Sequence, residues 1–336
     1  MATGIRALQK IALGIESTST PGTLVVGTTR WRGMGMLQDN LENIFPEEAA
    51  GNLGGSNLQY IASYGGEVEL TQDATFEQLP YVLTCGITSL VAGVQDGAGT
   101  GYIYTYPFAT TSVTDVNTLT IIGGDNIARE SLGYSFVPQF SLSGNGGEAL
   151  ALSATFRGQQ VSPYVTADTS TIPSVEQIIF SLGKLYIDED TGTIGTTQVS
   201  QTLLGMTLNV TTGWQEVHTA DGVRTFSFIK QAAPEILLDV TFEHNASAVA
   251  EIAKWRAGSP RLIKLLFEGA TLAGAGTTYS KKTLVVNLAG KWERFNKIDE
   301  QNGNDIVTGT FRCRFSSVAS LFASMIVVLD GVTTLP

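Results

Sequence analysis

Glu235-Ile236-Leu237-Leu238-Asp239-Val240-Thr241-Phe242-Glu243 decides how the chain reads. Glu235, Leu237, Asp239, Thr241 and Glu243 fall on one side, and Ile236, Leu238, Val240 and Phe242 on the other. A period of two sustained over this stretch marks a strand with one face on a core and the other largely polar. The same alternation occurs earlier, where Glu67, Glu69 and Thr71 oppose Val68 and Leu70.

Each strand runs into a helix signal. Thr75 and Gln78 have capping-box spacing, Phe76, Leu79 and Leu83 share a side, Pro80 fits the first turn and Gly86 supplies a stop. Asn245 is a cap for a helix reaching Gly258, with Val249, Ile252 and Ala253 on one side. Farther on, the turn pairs Asn145-Gly146 and Asn302-Gly303 precede Thr155-Phe156-Arg157 and Thr310-Phe311-Arg312. Four landmarks in one order, twice, predict an internal duplication. The first copy is longer between helix and Thr-Phe-Arg, and a Gly/Thr-rich excursion at residues 93–111 absorbs the difference.

The expected organisation is an N-terminal arm (1–20), a first domain (21–161) with a long loop (31–63), a Thr/Ser/Pro-rich linker (162–173) and a second domain (174–336). Residues 213–233 take the place of the long loop as something nearer a hairpin. The predicted fold class is mainly β, a β-sandwich or barrel domain with one flanking α-helix, internally duplicated.

Composition agrees. Only 15% of the 336 residues are charged, against roughly 25% in average proteins, so Thr, Ser, Gly and Asn must build the surface. A net charge of −11 argues against adhesion to DNA or anionic membrane. The charge is uneven: residues 1–172 hold 15 Asp/Glu and 6 Lys/Arg, residues 173–336 hold 16 and 14. Two cysteines, Cys85 and Cys313, cannot make a disulfide framework or a four-ligand zinc site, and read as buried thiols. The amphipathic start lacks the apolar core of a signal peptide, and residues 324–329 fall short of a membrane span, so a soluble protein of a reducing cytoplasm is expected.

Chemical motifs are lacking. There is no P-loop and no G-x-S-x-G elbow. His218 and His244 have no second ligand at metal spacing, and Asp188-Glu189-Asp190 lacks the remaining ligands of a calcium loop. No catalytic, cofactor or metal residue is assigned. The positive feature is the acidic strand face of Glu67, Glu69, Glu235, Asp239 and Glu243, read as nearly free of interleaved cations. Such a face dissolves an exposed sheet. It also suits a surface past which DNA slides without sticking.

Ile11 to Thr18 followed by Pro21-Gly22-Thr23, then Tyr64 to Leu70, Leu79-Pro80-Tyr81 and the Asn-Gly hairpin, together resemble the tail tube proteins of phages with long non-contractile tails. The resemblance covers most of the chain. A single-copy subunit is about half this size, so this chain looks like two tube domains fused. The resemblance implies trimers forming pseudo-hexameric rings that stack into a hollow conduit in the virion tail. Assembly would occur in the host cytoplasm around a tape-measure protein, between a terminator and tail-tip proteins. DNA would pass through without specific binding, and no membrane or cofactor is involved.

Two expectations extend that reading. Lys281, Lys282, Lys291, Arg294 and Lys297 would meet the acidic first half of a neighbour. The loop carrying Trp31, Arg32, Asp39, Glu42 and Phe45 would join ring to ring. A competing class is a tail-tip, baseplate or adhesin-type β-sandwich that binds a receptor through loop aromatics such as Tyr102, Tyr104 and Tyr106. An enzyme with paired carboxylates has no supporting residue pair.

Overall fold

The computed structural model describes residues 3–48, 51, 54 and 58–335. Half the chain is strand, the fold is mainly β, and among the described residues the strands pair antiparallel, with one isolated parallel bridge from Thr29 to Thr171. The strand Glu235–Glu243 has the predicted alternation, with Ile236, Leu238, Val240 and Phe242 buried.

Its neighbours define a shared sheet. From one edge the order is Gln38–Ile44, Tyr60–Asp73, Ala151–Gly158 and the second part of Arg129–Asn145. The sheet continues without a break through Leu203–Thr211, Glu235–Glu243, Asn304–Cys313 and the end of Lys281–Phe295. The first four strands belong to one half of the chain and the last four to the other. Thr155-Phe156-Arg157 faces Glu67 to Glu69 in the first half, and Thr310-Phe311-Arg312 faces Leu237 to Asp239 in the second. The duplication predicted from the sequence therefore has matching registers.

Both halves also bend one long strand into a second layer. Arg129–Asn145 begins beside Leu119–Gly124 and Val161–Pro163, and Lys281–Phe295 begins beside Arg261–Thr271 and Ala323–Asp330. In the second half the pivot is Gly290, opposite both Arg261 and Cys313. A β-carbon there would lie 2.2 Å from the Arg312 carbonyl, so only glycine fits. The first half turns with Tyr134 in the left-handed region at φ +55°.

The two helices seat differently. Helix α1, Leu79–Gly86, is buried on all sides. The Gln78 amide donates to Thr75 Oγ1 at 3.3 Å, as the capping spacing predicts. The Gln78 carboxamide does not return to Thr75; it donates to the Arg30 carbonyl at 2.8 Å and accepts from the Arg32 amide at 3.2 Å. Helix α2, Ala246–Arg256, is capped by Asn245 Oδ1, which accepts from Ser247 and Ala248. Its inward face is Ala248 and Glu251, and Val249, expected inside, is exposed. The reason is Glu251, whose carboxylate accepts from Nε and Nη2 of Arg261 (3.1 and 2.6 Å) and from the Trp292 indole N–H (2.8 Å). That buried cluster sets the rotation of α2.

Several boundaries differ from expectation. Residues 10–15, placed in an arm, form a strand with Ile11, Ala12 and Leu13 buried. The loop 31–63 contains the edge strand Gln38–Ile44. Residues 162–173 run along the first half, where Asp168 bridges Lys10 and Arg30. The excursion near residue 100 is not a free loop. Gly101–Pro107 crosses over and pairs with Ala323–Asp330 of the second half. The main hydrophobic core runs through both halves, and a smaller cluster gathers Val116, Tyr134 and Phe136 of the first half with Trp214 and Phe226 of the second. The halves are repeats of one body, not two separately packed domains. Residues 213–233 form the expected hairpin, Trp214–Val217 with Phe228–Gln231.

Candidate functional site

One face of the shared sheet packs on the core and the other is polar. Register places Glu67, Glu69, Glu235, Asp239 and Glu243 together on the polar face. Between the acidic positions lie short neutral side chains: Ser141 and Ser143, Ser153 and Thr155, Thr207 and Asn209, Thr308 and Thr310.

The repeat extends to individual side chains. Glu69 stands opposite Thr155, and Asp239 opposite Thr310. Glu69 accepts from Ser153 Oγ at 2.7 Å and Asp239 from Thr310 Oγ1 at 2.5 Å. Asp73 and Glu243 follow four residues later; Asn245 then caps α2, while Thr75 accepts from the Gln78 amide in the turn that leads into α1.

The face is less acidic than the sequence suggests. Arg157 bonds Glu67 at 3.1 Å, and Arg312 bonds both Glu235 and Glu293, the latter at 2.6 Å. Glu293 and Arg312 perturb each other as an ion pair does, the carboxyl held below its usual range and the guanidinium raised. The expectation of a face nearly free of cations is therefore overturned. The cations come from the Thr-Phe-Arg landmarks: a residue two along from the threonine returns to the same face. Carboxylates remain in excess, with Glu42, Glu67, Glu69, Asp73, Glu235, Asp239, Glu243 and Glu293 against Arg157, Lys291, Arg294 and Arg312.

The other expected groups separate. Lys282 lies inside the chain, 2.6 Å from Glu77 and 3.2 Å from Glu176, where it ties the second half to the approach of α1. Burial works to lower its pKa, but the Glu77 and Glu176 contacts raise it. Lys291, Arg294 and Lys297 are exposed at and just beyond the last strand of the shared sheet. At the opposite edge, Asp39 and Glu42 are exposed on Gln38–Ile44. Trp31 does not belong with them: it is buried in the core. Arg32 and Phe45 are exposed, and part of the segment after Phe45 lies outside the described residues. Tyr104 and Tyr106, candidates for receptor contact, are fully buried, with hydroxyls bonded to the carbonyls of Val332 and Leu90.

Sequence reasoning missed a cleft of about 700 Å³ lined by Arg6, Lys10, Arg30 and Arg32 beside Met34 and Met36. It also missed two buried carboxylates that end the first outer strand of each half. Glu16 accepts from the Gly22 amide and the hydroxyls of Thr118 and Thr120, and Asp188 accepts from the amides of Gly195, Thr196 and Thr197. An acidic residue directly after an apolar strand, with Thr and Gly following, was the available signal in both. Among the described residues there is no group of three or more His, Cys, Asp or Glu able to hold a metal ion. Nor is any helix there long and apolar enough to cross a membrane. No family model matches this chain, and no curated protein is detectably similar to it.

Proposed function

We propose that this chain is the structural subunit of a tail tube, a hollow conduit built from rings of three copies. The observation that carries the reading is the seam inside the chain. The second part of Arg129–Asn145 pairs with Leu203–Thr211 and so joins four strands of one half to the four equivalent strands of the other. At the far ends of the sheet lie the equivalents of those two strands, Gln38–Ile44 and the end of Lys281–Phe295. Among the described residues, neither has a further neighbour on its outer side. Repeating the seam between copies pairs one open edge with the other. Closure then removes the exposed edges that otherwise invite uncontrolled pairing.

The dimensions suit DNA. Three copies supply about 24 strands, spaced ~4.8 Å and tilted ~40°, for a circumference near ~150 Å. Allowing ~5 Å of side chain on each side leaves a bore of roughly 38 Å, wider than the ~20 Å duplex. With the polar face inward, short Ser, Thr and Asn side chains and a modest excess of carboxylates line the wall. That wall repels phosphate weakly, and its cations away from the open edge, Arg157 and Arg312, are held by carboxylates. The tape-measure protein during assembly, and terminator and tail-tip proteins at the ends, are the partners this role requires.

Charge supports the pairing. On the polar side one open edge carries Glu42 and the other Lys291 and Arg294, with Lys297 just beyond. Asp39 shares the edge of Glu42 but faces the sandwich side, so these residues are proposed for the junction within a ring and not between rings. Negative-stain electron microscopy of the purified chain is the direct test. Rings or hollow rods are expected, and solitary particles at high concentration overturn the proposal.

A further inference from the structure

We infer that the acidic hairpin at residues 299–304 of one copy seats in the cationic cleft of Arg6, Lys10, Arg30 and Arg32 on the next. The inference rests on the ring reading above and adds a second contact that the sheet alone does not require.

The internal seam supplies the template. There, Thr211 stands opposite Gln139, Val210 opposite Phe140 and Asn209 opposite Ser141. Cross-strand pairing carries each residue to its repeat. Gln139 and Phe140 correspond to Arg294 and Phe295, through Thr155 and Ala154 against Thr310 and Gly309. Asn209 and Thr211 correspond to Gln38 and Asn40, through Leu237 and Glu235 against Glu67 and Gly65. A repeated seam therefore puts Asn40 of one copy opposite Arg294 of the next, and Gln38 opposite Asn296.

The same seam does more than pair strands. The hairpin following Arg129–Asn145 lies on a short 3-10 turn, Phe180–Leu182, just ahead of the first outer strand of the second half. The Phe180 amide donates to the Glu148 carbonyl at 3.0 Å, and the Gly147 amide donates to Ser181 Oγ at 3.2 Å. The first half has its own 3-10 turn ahead of its first outer strand, Arg6–Leu8, and here it is exposed. The second half has its own hairpin, with Asn302 in the left-handed region (φ +54°) where the first has Gly147 (φ +92°). Turn and hairpin are the two halves of a contact made once within the chain and left open at its ends.

Chemistry then distinguishes the open pair from the internal one. The hairpin carries Asp299, Glu300 and, next to it, Asp305, all exposed. The turn and its cleft carry four cations against one lining carboxylate, Glu69, which is bonded to Ser153. Asp168 takes Lys10 at 2.5 Å and Arg30 at 3.2 Å, Arg32 reaches the Pro173 carbonyl, and Arg6 has no ion pair among the described residues. In a chain of net charge −11, a cationic cleft beside an open strand edge selects an acidic partner. The exposed Met34 and Met36 that line it give that partner apolar surface to cover.

The test uses the full chain with Asn40→Cys and Arg294→Cys as a reporter of the sheet junction; the native Cys85 and Cys313 are buried. Oxidation is expected to give a disulfide-linked ladder ending at the closed ring. In that background, the pair Asp299→Lys and Glu300→Lys, or the pair Arg6→Glu and Arg32→Glu, is expected to slow the ladder about fivefold. All four together are expected to restore it to within about twofold. A ladder that forms at an unchanged rate in the reversed chains, or is not restored by the combination, overturns the hairpin contact alone. No ladder in the reporter chain overturns the shared-edge reading, and this contact with it. Should a reversed chain melt early, Arg6→Gln with Glu300→Gln puts the same question.

Discussion

The seam within the chain and the two open edges at its ends are built from equivalent strands, yet they carry different residues. At the seam, Val210 and Phe140 stand opposite each other and both are buried. At the open edge, Asp39 occupies the place of Val210 and is exposed. A fused seam forms once, as the chain folds, so it needs only packing. In the proposed ring an open edge would meet many chains before the right one, and an aspartate aimed toward the sandwich side would hinder casual pairing. The duplication kept the backbone plan and gave the outer copy of the seam a charge.

The largest expected effect comes from moving that charge inward. Val210→Asp buries a carboxylate with no cation beside it and is expected to cost about 3–5 kcal/mol, enough to threaten folding. The reciprocal Asp39→Val is expected to leave the isolated chain within about 0.5 kcal/mol of the parent. Its consequence appears instead as disordered aggregates. Urea denaturation of both, with light scattering on the second, checks the pair. Equal stability costs for the two changes would end the comparison.

The second effect separates cations that the sequence groups together. Lys282→Glu places a third carboxylate beside Glu77 and Glu176 and is expected to cost about 2–3 kcal/mol in a thermal melt. Lys291→Glu with Arg294→Glu is expected to spare the melt and lower ring formation about tenfold, equivalent to about 1.4 kcal/mol. Analytical ultracentrifugation reads the second change and calorimetry the first. If Lys282→Glu impaired assembly without lowering stability, the division into an internal and an edge set would be wrong.

What could be read from the sequence follows from the range of each signal. The strand Glu235–Glu243, the Asn245 cap and the order of the repeat are local, and each stands in the structure as the spacing predicted. Contacts across the chain were not legible in the same way. Gly101–Pro107 looks like loop because its partner, Ala323–Asp330, lies more than two hundred residues away. Trp31 sits among glycines and reads as exposed, yet its amide donates to the Ile11 carbonyl and its ring is held in the core. The acidic face is legible, but Arg157 and Arg312 read as strand landmarks, and only the register across strands makes them counter-ions. Glu251 shows the converse: a charge on the buried side of a helix looks like an error until Arg261 and Trp292 are seen around it.

The smallest effect concerns Asp168, whose role at the cleft is to hold Lys10 and Arg30 in place. Burial works to raise its pKa, but the contacts from Lys10 and Ser170 prevail and hold the carboxyl well below the usual carboxylate range. A depressed folded value means the stabilisation is present above the unfolded pKa of about 4, and fades as pH falls through that point toward the folded value. Asp168→Asn is expected to cost about 1–2 kcal/mol at pH 7 and clearly less at pH 2.5, read from urea midpoints at the two values. Beside the internal turn Phe180–Leu182 one cation is anchored in this way, Lys184 on Glu268 at 2.6 Å, against two on Asp168, so the same acid shift is expected to weigh less on the seam. Acid is therefore expected to loosen contacts between copies before it loosens the contact within one. Rings that persist while the chain itself unfolds would reverse that order and count against a cleft held by Asp168.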